Sequence, residues 1–268
     1  MSEQYVLETR NLVKEFKGFV AVNDVNLQIR QGDIHALIGP NGAGKTTVFN
    51  LLTKFLIPTR GQILYRGEDI TPLKSAAIAR KGIVRSFQIS AVFPHMTALE
   101  NIRVALQTAE GSSYSFWKSG HSLHKLNERC MELLESVGLA EFANTTTVEL
   151  AYGRKRALEL ATTLAMEPQL LLLDEPTQGM GSEDVDRVVA LVRKAAQGRT
   201  VLMVEHNLSV VSKLCDRITV LAQGAVLTEG DYQTVSADPR VREVYMGSDG
   251  SGERGAQAPN QENVEAAQ

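Results

Sequence analysis

Residues 39–47 read GPNGAGKTT, three glycines closing on a lysine and two threonines. Gly39, Gly42 and Gly44 let a backbone curl until its amides point inward, the arrangement that holds phosphate oxygens. Lys45 is then placed to reach β- and γ-phosphates and the Thr46 hydroxyl to ligate Mg²⁺, with Pro40, Asn41, Ala43 and Thr47 completing the loop. A second chemical group closes the run LLLLDE (170–175), with Asp174 lying 129 residues after Lys45. Asp174 suits the shell of a Mg²⁺ ion, and Glu175 suits orientation and deprotonation of an attacking water. Two solvated acids at a strand end are the plainer alternative, which the loop upstream makes the minority view. His206 ends TVLMVEH (200–206) and could donate a hydrogen bond to a γ-phosphate, although a lone histidine is usually an ordinary one. Gln88, in RSFQISAVFPHM, can ligate Mg²⁺ or position water, and by itself says little.

These residues can cooperate only if the elements carrying them open on one edge. IHALIG (34–39) reads as a short apolar strand running into the glycine loop, and TTVFNLLTKFL (46–56) as a buried helix stopped by Pro58. AVNDVNLQI (21–29) alternates, with Val25, Leu27 and Ile29 on one face, and the turn QGD (31–33) closes it. The unbroken LLLL suits a strand buried on both faces. A helix over 183–196 presents Val185, Val188, Val189 and Val192 together, and a strand over 200–206, a helix over 207–215 and a hairpin-like stretch over 218–230 follow. Alternating strands and helices imply a mostly parallel, covered sheet, whose ligands lie beyond the carboxyl ends of its strands. If the strands ending near 38, 173 and 205 run parallel, they deliver all three groups to one place.

Between about 92 and 150 the strand signal gives way to ALENIRVAL (98–106) and KLNERCMELLESVGL (125–139), the latter with Leu126, Cys130, Leu133, Leu134 and Val137 at helical spacing. The stretch 107–124 reads as an irregular insertion or short helical arm; its Trp117 is a partner anchor or, more plainly, a locally packed aromatic. The last 21 residues, 248–268, are polar and expected to be disordered. At 268 residues, 43% hydrophobic and 22% charged, the chain has ample length for a substantial core. Its net charge of −3 argues against non-specific nucleic-acid binding. Cys130 and Cys215 lack metal-ligand neighbours and read as reduced thiols, and no apolar run is long enough to span a membrane. A cytosolic chain, or one attached to a membrane through a partner, is expected.

Taken in order, these elements resemble the nucleotide-binding domain of ATP-binding cassette (ABC) transporters, over about residues 5–247. GPNGAGKTT matches the family's Walker A motif and LLLLDE its Walker B, with the catalytic glutamate at Glu175; Gln88 matches the Q-loop and His206 the switch histidine. Phe16, 29 residues before Lys45, stands where the family places an aromatic that stacks on adenine, with Phe19 as the fallback. The resemblance implies an α/β fold: a P-loop, RecA-like core with an antiparallel β subdomain and an inserted α-helical subdomain over about 91–153. The GPNGAGKTTVFN run, LENI before the insertion, LAYG in place of the commoner LSGG, and the closing EGDYQTVSADPRVREVYMG (229–247) look like importers for branched-chain amino acids, amides and urea. Lipopolysaccharide-export ATPases are similar over much of this length.

The family signature LSGGQ, which meets the γ-phosphate held by an opposing subunit, reads here Leu150-Ala151-Tyr152-Gly153-Arg154. Ala151 lacks the serine hydroxyl, while Gly153 remains, and Ala157, Leu160, Ala161 and Leu164 share one face of the helix that follows. Arg154, Lys155 and Arg156 either offer cations to an anion or form a solvated basic face. Gly181 replaces an acidic or amide residue common in the family's D-loop, which bears on communication between sites. The resemblance implies ATP and Mg²⁺ bound between two ATPase subunits, identical or not. It also implies integral membrane permease subunits, an external solute-binding protein, and a place on the cytoplasmic face of the inner membrane. A regulatory protein of weak turnover is the rival implied by the altered signature.

Overall fold

The computed structural model describes residues 4–86, 92–109 and 120–249, so Gln88, Trp117 and residues 250–268 lie outside the described residues. The chain begins with β1 (Tyr5–Phe16), β2 (Phe19–Val25) and β3 (Gln28–Arg30). With β5 (Arg60–Tyr65) and β6 (Glu68–Asp69) they form an antiparallel sheet in which β2 and β3 pair with different stretches of β1. The single strand expected over 21–29 is therefore two. The break falls at Asn26 and Leu27, just past Asp24, which takes a left-handed φ of 54° inside β2, while Val25, Leu27 and Ile29 are all buried as the alternation required.

A second, six-stranded sheet holds β4 (Ile34–Ile38), β7 (Ile83–Ser86), β8 (Leu170–Asp174), β9 (Thr200–Val204), β10 (Arg217–Ala222) and β11 (Ala225–Gly230). Its order is β11-β10-β4-β9-β8-β7, parallel throughout except for the β10–β11 hairpin. Alternate residues along each central strand enter different cores. Leu171 and Leu173 of β8 join Val201 and Met203 of β9 on one side, while Leu170 and Leu172 join Leu202 and Val204 on the other. Burial on both faces is what an unbroken apolar run is for.

The second of these cores is closed by α1 (Lys45–Leu52) and the antiparallel sheet. α1 is shorter than the expected 46–56. Lys54 at φ 59° turns the chain out of the helix, and Phe55 and Ile57 emerge 57% and 72% exposed. The first core is closed by α3 (Ala98–Ala109), α4 (Gly120–Ser136), α5 (Tyr152–Leu164), α6 (Ser182–Ala195) and α7 (Leu208–Leu214). Between β7 and α5 every named element is helical, including two short 3₁₀ turns. α2 (Ser75–Arg80), α8 (Tyr232–Ala237) and α9 (Pro239–Asp249) complete the chain, and α9 takes in the first two residues of the expected tail.

Candidate functional site

The loop 39–44 joins β4 to α1 and is held open by glycine. Gly39 has φ 149°, and a Cβ there would sit 2.2 Å from the Leu221 carbonyl oxygen; at Gly44, φ 100°, it would meet the Ala21 carbonyl at 2.6 Å. Any side chain would push the loop off its neighbours. The turn after β10 pins the loop from behind: the Gly224 amide donates to Ala43 O at 3.1 Å, and the Asn23 amide to Gly224 O at 2.7 Å. Gly44 caps α1 without any side-chain hydrogen bond, and the first turn of α1 carries no acid, so its positive end opens into the loop.

Lys45 is buried, and its Nζ donates to Gly39 O at 2.8 Å and Pro40 O at 2.9 Å. Burial holds its pKa below the ordinary lysine value, against the pull of Glu175 and Asp174. Thr46 is exposed at the start of α1, and Asp174 ends β8 almost wholly buried. A hydroxyl and a carboxylate are hard oxygen donors, a set that fits Mg²⁺. In the structure the Asp174 carboxylate accepts from Arg85 of β7, whose other nitrogen donates to Asn50 of α1 at 2.6 Å and whose guanidinium lies 5.7 Å from the Phe49 ring.

Glu175 follows β8 at φ 47°, a left-handed conformation costly for a residue with a side chain and concentrated at functional sites. Its Oε1 lies 2.6 Å from His206 Nε2. A carboxylate only accepts, so Nε2 carries the proton and orients the glutamate. The two face a cleft of about 470 Å³ that also borders Asn41, Gln178 and Glu205. The parallel β4, β8 and β9 thus bring the phosphate loop, the acid pair and the histidine to one edge.

Glu205 is the residue that sequence reasoning missed. It is buried, with Oε1 accepting from the Thr177 amide at 3.0 Å and hydroxyl at 2.6 Å, and Oε2 from the amides of His206 and Asn207 at 3.0 and 3.1 Å. One carboxylate therefore ties the loop after β8 to the loop after β9. Arg85 was also passed over, inside a stretch read only for its glutamine. The sole signal for Glu205 is a charge continuing an apolar strand.

At the signature, α5 starts at Tyr152 with Ala151 as an N-cap that supplies no side-chain bond to its first amides. Ala157, Leu160, Ala161 and Leu164 are buried as expected. The three following cations do not form a cluster free to receive an anion. Arg154 stacks 3.9 Å from the Phe142 ring centre, Lys155 donates to Val148 O at 3.0 Å, and Arg156 is buried against Glu159 at 2.9 Å. Gly181 caps α6 without a side-chain bond. Phe16 is partly exposed at the tip of the β1–β2 hairpin, opposite Phe19, with Lys14 Nζ 5.0 Å from its ring centre.

The family profile described as ABC transporter matches residues 22–178, which span the phosphate loop, the signature and the acid pair. This chain belongs to the ABC transporter family. It is an ATPase of that family and a nucleotide-binding transporter subunit. A second profile, described as branched-chain amino acid ATP-binding cassette transporter, matches residues 225–251. Among relatives, the high-affinity branched-chain amino acid transport ATP-binding protein BraF of Pseudomonas aeruginosa is 40% identical, over 90% of this chain and 98% of its own. LivG of Escherichia coli K12, of the same description, is 38% identical over 91% and 98%. The lipopolysaccharide export system ATP-binding protein LptB of Acidithiobacillus ferridurans is 36% identical over 92% and 98%. The ADP conformation of the cassette MJ1267 superposes with a TM-score of 0.80 at 29% identity, covering 91% of this chain and 99% of that one. The dimeric cassette MJ0796 with ADP and Pi gives 0.72 at 28%, covering 84% and 98%. Among the described residues no helix of this ABC subunit is long and apolar enough to cross a membrane.

Proposed function

We propose that this chain drives an importer for branched-chain amino acids or related amides, from the cytoplasmic face of the inner membrane. The observation that carries the mechanism is the 2.6 Å contact of His206 Nε2 with Glu175 Oε1 beside the phosphate loop. The importer assignment is supported by the profile over 225–251 and by BraF and LivG. In this reading residues 1–247 form one ATP-binding unit, with a helical arm over about 91–153.

Gly39, Pro40, Asn41, Gly42, Ala43, Gly44 and Thr47 wrap the phosphates, Lys45 turns from its two carbonyls to the β- and γ-oxygens, and Phe16 stacks on adenine. Mg²⁺, held by Thr46, Asp174 and Gln88, would neutralise charge on the phosphates. Glu175 takes the proton of the attacking water while His206 holds its carboxylate. The amides at the start of α5, around Ala151 and Gly153, serve the phosphate of a second ATPase subunit. Closure of the two subunits pulls on permease subunits, which receive solute from an external binding protein.

Replacing Glu175 by Gln keeps nucleotide binding and removes the base. The expected result is ATP affinity within about twofold of native and hydrolysis lowered at least on the order of a hundredfold. In cells lacking the chain, native protein restores leucine uptake and the variant does not. Hydrolysis equal in native and variant, with transporter partners present, would overturn the motor reading. Restored envelope lipopolysaccharide with unchanged uptake would favour the LptB-like alternative.

A further inference from the structure

We infer that the Tyr152 hydroxyl is a latch that ties the signature helix to the loop after β8 within one subunit. Through it the site holding Glu175 is coupled to the site that the same subunit's signature serves. The coupling rests on the two-subunit reading above; the latch itself does not.

Tyr152 opens α5, and its hydroxyl lies 3.1 Å from Gln178 O and 3.2 Å from Arg156 Nη2. A guanidinium only donates, so the hydroxyl accepts from Arg156 and spends its one proton on the Gln178 carbonyl. Both bonds thus have a fixed direction. Arg156 is itself immobilised, its side chain 8% exposed and paired with Glu159, 4% exposed, with its guanidinium 5.5 Å from the Tyr152 ring centre. The phenol is therefore held from below by a buried ion pair and grips the loop above. A second close approach lies beside it: a Cβ at Gly153 would stand 3.2 Å from Asp184 Oδ1, so the first turn of α5 rests on the first turn of α6.

The gripped loop is the one that matters chemically. It starts at Glu175, is tied at Thr177 to Glu205, passes Gln178, and ends at Gly181 where α6 begins. A shift of Glu175 that moves Gln178 must stretch the Tyr152 bond or carry the start of α5 with it. In this scheme the Tyr152 side chain is a positioning group; only its backbone amide belongs with those of Ala151 and Gly153 at the signature. A glycine at this position, as in the commoner LSGGQ, has no atom that could make the bond.

The test is Tyr152→Phe in the full chain, which keeps the ring over Arg156 and removes only the hydroxyl. Hydrogen–deuterium exchange of residues 177–181 is expected to rise about fivefold, the weight of one hydrogen bond, with the melting temperature lowered by only about 2–4 °C. The Hill coefficient for ATP hydrolysis is expected to fall from native toward about 1, while ATP affinity of the single subunit stays as in native. Unchanged exchange over 177–181 overturns the latch. Raised exchange with an unchanged Hill coefficient overturns the coupling and leaves a structural tie. If Glu175→Gln never dimerises with ATP, the two-subunit reading fails and the coupling with it, and the exchange result still decides the latch.

Discussion

Glu205 shows how much of the site's geometry depends on a residue outside the reacting pair. Its four hydrogen bonds compensate a buried carboxylate and fix Thr177 against His206, so Glu175 inherits its placement from a neighbour it does not touch. Glu205→Gln gives one oxygen an NH₂ that faces donors, leaving at least one of them unsatisfied. Stability is expected to fall by about 1–3 kcal/mol in urea unfolding. kcat is expected to fall on the order of tenfold to a hundredfold with little change in KM, because the misplaced group acts in the transition state. An unaltered kcat would show that Glu175 and His206 find each other unaided. The same scale explains what could be read in advance. GPNGAGKTT and LLLLDE are legible because glycine spacing and an apolar run each have a physical purpose. Glu205 looks like any charge at a strand end, and adjacent Arg154, Lys155 and Arg156 look alike until packing sends each to a different partner.

Paired strands carry their own titration. His35 of β4 is fully buried, with Nε2 2.7 Å from the Thr219 hydroxyl of β10, and that hydroxyl lies 2.8 Å from Glu229 of β11. Thr219 gives its proton to the carboxylate, so His35 donates from Nε2, and Nδ1 has no partner among the described residues. Burial pulls the His35 pKa down to about 4, against Glu229 and helped by Arg217 and Arg30. The unfolded chain binds this proton near pH 6.5 and the folded one only near 4, so stability is complete above 6.5 and is lost as pH falls between them. The expected loss is about 3 kcal/mol by pH 4, read from urea midpoints, and His35→Leu should flatten that part of the profile. At this scale the two-sided burial of the LLLL strand was legible, and so were the alternation over 21–29 and the valines of α6. The end of α1 was not, since it depends on a single left-handed residue, Lys54, whose identity does not announce it, and neither was the break at Asn26 and Leu27 between β2 and β3.

For the whole molecule the decisive quantity is assembly. Glu175→Gln in ATP·Mg²⁺ is expected to double in mass from its 29.3 kDa monomer, and to return to it when ADP replaces ATP. A monomer that still binds ATP would mean that the variant signature requires a different partner. The molecule's construction also bears on how it meets nucleotide. The phosphate loop is clamped behind by Gly224 and Asn23 and shaped by carbonyls that no side chain could displace, so its cradle stands ready before a ligand arrives. Little chain entropy is then lost on binding. Arrival is governed by diffusion, and residence by how fast the contacts let go. Such a loop suits a motor that must release ADP and reload ATP in every cycle without refolding its grip.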